Sequence, residues 1–387
     1  MNELIRNGIQ EKFLNLFNEK PLIVRSPGRV NIIGEHTDYN DGFVLPAAIN
    51  KAIYLAITAR TDEQVHLYSS EFNASFQTTL SQMRPAKEVW PNYILGVADQ
   101  LVKRGYVIRG FNLVIDGDIP IGSGLSSSAA VECATAFALN ALFDLNITKL
   151  DLALIAQKAE HEFAGVLCGI MDQFASVFGK KDQVIRLDCR SLEYEYVPLK
   201  LEGYQLLLLN TNVKHSLASS EYNTRRNQCE RGVALVKKHH PEVESLRDVT
   251  MDMLLRYVKD SDELIYRRCK YIIEENQRLL EGCEDLINGR IDYLGQKMFQ
   301  SHEGLRREYE VSCPELDFLV DAVKNHPGVL GARMMGGGFG GCTINIVKEN
   351  AVDQLVRELS RAYNEKMQKE LTPIPAVIEE GTQVLEL

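Results

Sequence analysis

Six polar residues, Arg29, Asn31, Glu35, His36, Thr37 and Asp38, crowd into ten positions punctuated by Gly28, Gly34 and Gly42. Such a set offers donors and acceptors in several directions, as a polyhydroxylated ligand requires. A solvated surface loop is the plain alternative, with Arg29 in a surface ion pair. Val30, Ile32 and Ile33 on one side and the apolar stretch 43–48 on the other favour a buried, ligand-facing loop.

The second candidate is Pro120-Ile121-Gly122-Ser123-Gly124-Leu125-Ser126-Ser127-Ser128-Ala129, between an expected strand and an expected helix. Glycines allow close backbone approach. A helix N-terminus presents free N–H groups and about half a positive charge. Together they suit a phosphate, and one serine hydroxyl could reach a magnesium ion. A Ser-capped helix after a glycine turn fits the same residues. The loop lacks the GK[ST] ending of a Walker motif, and no protein-kinase HRD or DFG pair accompanies it. Gly336-Gly337-Gly338-Phe339-Gly340-Gly341 matches GxGxxG, but a strand is expected after it where a dinucleotide-binding fold needs a helix. So many glycines exceed what a turn needs, and close approach to a ligand or a neighbouring loop is expected. His161-Glu162 opens like HExxH, yet Gly165 stands where the second His should be, which removes a zinc protease. Asp172 reads most simply as a helix N-cap.

These segments need a frame. Apolar periodicity predicts helices over 9–17, 93–104, 128–143, 152–163, 221–238, 263–280, 293–301, 314–324 and 352–368. Strands are expected over 22–25, 52–60, 65–69, 111–115, 184–187, 204–209 and 343–347, with 65–69 pairing with 52–60. A strand-rich first half and a helix-rich second half define an α+β chain of two domains, 1–200 and 201–387. Glycine loops on both sides put the site between them.

The bulk properties agree. A chain of 387 residues exceeds one ordinary core. A composition 45% hydrophobic and 25% charged is that of a globular protein. The net charge of −10 disfavours nonspecific nucleic-acid binding. Eight cysteines without CxxC or zinc-finger spacing fit a reduced, cytoplasmic protein. The N-terminus lacks a signal-peptide core. The longest strongly apolar run, 206–209, is far short of the ~20 residues that span a bilayer.

Three stretches together resemble one family. Pro27-Gly28-Arg29-Val30-Asn31-Ile32-Ile33-Gly34-Glu35-His36-Thr37-Asp38-Tyr39 is similar to the galactokinase signature. The stretch 120–129 resembles the ATP motif of the GHMP kinases. Gly331-Ala332-Arg333-Met334-Met335-Gly336-Gly337-Gly338-Phe339-Gly340-Gly341-Cys342 resembles their third motif. Segments 165–174 (GVLCGIMDQF) and 216–226 (SLASSEYNTRR) also look like galactokinase segments. The matches run in family order from residue 22 to about 347.

The resemblance implies a fold, an activity and roles by position. The fold would be a ribosomal-protein-S5-domain-2-like N-terminal domain with a ferredoxin-like C-terminal domain. The activity would be ATP-dependent phosphorylation of galactose at its anomeric hydroxyl, giving galactose 1-phosphate and ADP, the first committed step of the Leloir pathway. Asp172 would be the catalytic aspartate, and Arg29 would stabilise developing charge beside it. Glu35, His36, Thr37, Asp38 and Tyr222 would bind the sugar, with Asp172. Gly122, Ser123, Gly124, Leu125, Ser126, Ser127 and Ser128 would wrap the phosphates of ATP. Ser128 and Glu160 would hold Mg2+, and Ser69 and Trp90 would lie near the nucleotide. A monomer without nucleic-acid or membrane partners is expected. Met335 stands where the family usually has Thr, which puts any hydroxyl contact there in doubt. An N-acetylgalactosamine kinase shares the first motif. A silent galactose sensor would show a damaged phosphate loop, and here that loop is full length with Arg29 and Asp172 both present.

Overall fold

The computed structural model describes residues 2–213 and 218–385, the side chains of 218–220 excepted. The first half runs α1 (Glu3–Phe17), β1 (Leu22–Asn31), β2 (Phe43–Val44), β3 (Pro46–Ala59), β4 (Gln64–Ser69), β5 (Ala74–Thr79), α2 (Asn92–Lys103), β6 (Phe111–Gly117), α3 (Ser127–Leu142), α4 (Lys149–Ala159), α5 (Met171–Phe178), β7 (Gln183–Asp188) and β8 (Tyr194–Pro198). The second half runs β9 (Tyr204–Asn210), α6 (Ala218–Lys237), α7 (Met251–Tyr257), α8 (Glu263–Ile287), α9 (Ile291–Gly304), α10 (Pro314–Val323), β10 (Val329–Met334), β11 (Cys342–Lys348), α11 (Val352–Met367), β12 (Thr372–Ala376) and β13 (Gln383–Leu385). The α+β expectation holds.

Six strands form one sheet in the order β13-β1-β3-β6-β4-β5. Alternation along β3 explains its two faces. Ile53, Leu55 and Ile57 point into the main core with α2, α3 and α4, whereas Ala52, Tyr54 and Ala56 meet Ile9 and Phe13 of α1. The segment 65–69 does not pair with 52–60. It runs parallel to β6 and antiparallel to β5, and β6 lies between it and β3. The reason is the burial of β6 on both faces, with Leu113 in the main core and Val114 in the α1 core, which suits a central strand.

A second, antiparallel sheet has the order β10-β11-β9-β12. Leu207 and Leu209 face α10 and α11, and Leu206 and Leu208 face the main core. The strand Tyr204–Asn210 is the first of this sheet in chain order. The chain end returns to the first sheet, where β13 pairs with β1. Among the described residues no helix is long and apolar enough to cross a membrane.

Candidate active site

The signature loop leaves β1 inside the core, and each residue of the polar run is at most 8% exposed. A surface loop is excluded. Burial of so many polar groups is tolerable only if they are bonded, and most are. Glu35 accepts from Asn31 Nδ2 at 3.1 Å, from Arg333 Nη2 at 3.2 Å and from the Gly336 N–H at 2.7 Å. Arg333, fully buried, also donates to the carbonyls of Ile32, Met334 and Asn31. The third motif thus anchors the first.

His36 adopts a left-handed backbone, φ 64°, and its Nδ1 bonds Tyr39 Oη at 2.8 Å. Its buried Nε2 makes no well-formed hydrogen bond among the described residues, although the Gly337 backbone acts on the ring as a weak partner, and the residue lines a cavity of about 130 Å³. Burial, then Arg225, holds its pKa at about 3, so the ring is neutral and Nε2 offers a single donor or acceptor. Asp38 lines the same cavity, and its pKa is pushed up to about 7 by burial, then by Asp172 and Glu35. Gly169 packs against the Asp38 carboxylate so closely that a Cβ would overlap it. Tyr222 completes the wall, its ring 5.4 Å from that of His36. Thr37 does not reach the cavity. Its hydroxyl donates inward to the Gly34 and Phe43 carbonyls at 2.9 and 2.5 Å. Glu160 also lines this cavity, with Val166 and Met171 as its apolar part. A cavity this small with so many charged groups suits a compact polar ligand, whereas drug-sized ligands occupy roughly 300–1,000 Å³.

Asp172 stands at the edge of that cavity, in the first turn of α5 rather than as its cap, which is Ile170. Arg29 grips it bidentately, Nε–Oδ1 2.8 Å and Nη2–Oδ2 3.1 Å, and extends Nη1 to the Gly124 carbonyl at 2.6 Å. Burial opposes the charge on Arg29, yet Asp172, Glu35 and Asp38 outweigh it and its pKa is raised. Ser126 occupies the N-cap of α3 but caps nothing. With φ 57° its hydroxyl turns to Asp172 Oδ2 at 2.5 Å. A left-handed serine is strained, and here the strain aims a phosphate-loop hydroxyl at the candidate base.

Gly122 and Gly124, both at positive φ, carry the loop into α3. Ser123 is spent on the Pro120 carbonyl at 2.6 Å, and Leu125 is buried with its carbonyl accepting from the Arg29 N–H. Ser127 and Ser128 face a second, mostly apolar cavity of about 380 Å³. Ser69, Phe72, Val89, Trp90 and Ile121 also line it. Phe72, Val89 and Ile121 are each more than half exposed, an apolar rim that a planar ring would cover.

Glu160 begins a π-helical turn, Glu160–Ala164, which ends α4 and re-aims its side chains. Its buried carboxylate takes bonds from Gln173 Nε2 at 2.7 Å, Cys168 Sγ at 3.5 Å and the Ser128 hydroxyl. Burial, then Asp172, raises its pKa. A hard oxygen donor beside a hydroxyl, bonded by neutral groups, is a donor set that fits a divalent cation. Met335 is buried, and its Sδ accepts from the Asn31 N–H at 3.4 Å. Its side chain supports β1, and its carbonyl faces Gly124 of the loop 122–128. The first part of segment 216–226 lies outside the described residues.

Sequence reading missed Gln173, Glu132, Arg333 and the pairing of Ser126 with Asp172. A glutamate at 132 inside an alanine-rich helix was the available signal for one of them.

The fold is that of a GHMP-type small-molecule kinase. The family models for the GHMP kinases N terminal domain and the GHMP kinases C terminal match residues 92–180 and 283–365. The galactokinase galactose-binding signature matches residues 11–59. A galactokinase of Thermotoga neapolitana is 46% identical over 349 residues, 90% of this chain and 96% of that one. The crystal structure of Lactococcus lactis galactokinase complexed with galactose superposes with a TM-score of 0.95 at 34% identity, covering 98% of this chain and all of that one. Methanococcus jannaschii mevalonate kinase, at 18% identity and a TM-score of 0.63 over 93% of this chain and 99% of its own, shares the fold alone. The chain belongs to the galactokinase family.

Proposed function

We propose that the protein transfers the γ-phosphoryl group of ATP to the anomeric hydroxyl of galactose. The observation that carries the reading is the junction Arg29–Asp172–Ser126, which joins the small polar cavity to the phosphate loop of the larger apolar one. Galactose would occupy the small cavity, met by Glu35, His36, Asp38 and Tyr222. The nucleobase would lie against Trp90 and Ser69 in the large one, with the phosphates on the loop 122–128.

The sugar oxygen attacks the γ-phosphorus, the bond from that phosphorus to the β,γ-bridging oxygen breaks, and ADP leaves with the bond electrons. Asp172 accepts the hydroxyl proton. Arg29 holds that carboxylate in register and faces the charge on the moving phosphoryl group. Ser128 and Glu160 would hold Mg2+, which neutralises phosphate charge when bound. Backbone N–H groups at the start of α3 supply further positive potential.

The domain division falls near residue 200 in this reading, with the tail of the second domain returning to the first sheet. Eight free cysteines fit a reducing, cytoplasmic setting. A coupled ADP-release assay across galactose, N-acetylgalactosamine, glucose and mevalonate tests the activity, with product NMR for the phosphorylated position. Galactose 1-phosphate is expected. Phosphate on O6, or turnover confined to the N-acetylated sugar, overturns the reading.

A further inference from the structure

Glu132 is fully buried in α3, on a helix whose other buried residues, Thr135 apart, are apolar, Ala129, Ala130, Cys133 and Ala134 among them. A carboxyl in such a place is costly, and the phosphoryl-transfer chemistry above has no use for it. Its surroundings give it one. Position 132 follows Ser128 by four residues, so both project from the same face of α3. Ser128 reaches Glu160, and Glu132 also lies in hydrogen-bond contact with Glu160. Gln173, fully buried and next to Asp172 on α5, places one amide nitrogen between the two carboxyl groups: Nε2 is 3.1 Å from Glu132 Oε2 and 2.7 Å from Glu160 Oε2. That single NH2 group therefore ties together the helix carrying the phosphate loop, the π-helical turn carrying Glu160 and the helix carrying Asp172. The far oxygens, Glu132 Oε1 and Gln173 Oε1, have no partner among the described residues. A buried polar pair left partly unsatisfied is a poor way to gain stability.

We propose that Gln173 and Glu132 are positioning residues, a buried amide–carboxyl clamp that fixes Ser128, Glu160 and Asp172 relative to one another. The inference rests on the kinase reading of those three groups. Neither clamp residue lines the sugar cavity, so its effect passes through the residues it holds, Glu160, Asp172 and Cys168, whose Sγ is 3.9 Å from Gln173 Nε2.

The test uses the full-length protein and the variants Gln173→Met, Gln173→Ala, Glu132→Ala, Glu132→Gln and the double variant Gln173→Met/Glu132→Ala. Calorimetry measures the affinity of a non-hydrolysable ATP analogue with and without Mg2+, a readout that needs no turnover. Steady-state kinetics separates kcat from the KM for galactose. Gln173→Met, which fills the same volume without an amide, should lower kcat and shrink the Mg2+-dependent gain in analogue affinity by about 10–100-fold, the scale for partners of a metal ligand. The galactose KM should stay within a few-fold. Glu132→Ala should match it, and the double variant should lose no more than the worse single one, because the two residues form one unit. Glu132→Gln should recover most of the loss, since its carbonyl can still accept from Gln173 Nε2. Folded variants with wild-type kcat and Mg2+ response, or effects confined to melting temperature, overturn the proposal. So does a Glu132→Gln variant as defective as Glu132→Ala. If Gln173→Ala does not fold, Gln173→Met and Glu132→Gln still decide. Failure of wild-type protein to phosphorylate galactose refutes the kinase reading separately and leaves the Mg2+-dependent binding result standing.

Discussion

Asp172→Asn separates chemistry from structure, because in the proposed mechanism the carboxylate has two measurable duties. It takes three bonds, from Arg29 Nε, Arg29 Nη2 and Ser126 Oγ, at 2.8, 3.1 and 2.5 Å. An asparagine can keep its carbonyl on Arg29 Nε, but its amide then faces Nη2, and that bond is lost. Ser126 can reverse and accept from the amide, while the Gly124 carbonyl still holds Nη1. One bond to a charged group is therefore lost, about 1.5–3 kcal/mol when buried. The Asp172 side chain is 25% exposed, so the lower end applies. In a chain of this size that lowers the melting temperature by a few degrees and leaves the protein folded at 25 °C. The chemical duty is larger. Removing a positioned proton acceptor costs ~10²–10⁴ in rate, or about 3–5 kcal/mol. Steady-state kinetics should show kcat falling by that factor. Calorimetry on the same preparation should show galactose and a non-hydrolysable ATP analogue binding within a few-fold of wild type. A variant that keeps kcat within about fivefold removes Asp172 from the proton-accepting role and leaves it as a partner of Arg29.

Asp38→Asn reports on burial: the folded carboxyl titrates near pH 7 against an ordinary value of 3.8, so its stabilising contribution is complete below that ordinary value and is lost as pH rises through 7. The Asn variant of the ligand-free protein should melt above wild type at pH 8, with a gap that narrows toward pH 5, and a gap that widens on acidification contradicts the sign. His36 works in the opposite sense, being held neutral down to about pH 3; NMR should show no His36 titration step between pH 5 and 8, and a midpoint near 6.5 refutes its burial among cationic neighbours. Trp90→Ala should raise the KM for ATP about tenfold or more, with the galactose KM unchanged, since the ring lines only the larger cavity; equal effects on both substrates would make Trp90 a packing residue.

How far the site was legible before folding depends on whether a residue's role is local. The run 35–38 and the loop 122–128 are each read from one contiguous stretch, and the structure sets Glu35, His36 and Asp38 in one cavity with Asp172, which Ser126 of the loop touches. Thr37 shows the limit of that reasoning: its type suits a sugar, but the turn from Gly34 to Phe43 consumes its hydroxyl. The position of β6 between β3 and β4 was hidden for a related reason, since pairing partners are chosen by burial on both faces of a sheet that the local pattern cannot display. Helix α5 enters the sequence reading only as the unbounded helix that Asp172 would cap, because its eight residues give barely two turns of periodicity; the structure starts it at Met171, with Asp172 in its first turn. Ser126 is the sharpest case. As a type it belongs at a helix cap, and it sits at one, yet its backbone takes φ 57° and its hydroxyl serves Asp172, 46 residues away. Local rules and site geometry conflict at that residue, and the site prevails. Conflicts of this kind are expected where function outranks stability. By the same criterion Glu132, a carboxyl buried among alanines, belongs with the working parts of the site and not with the packing.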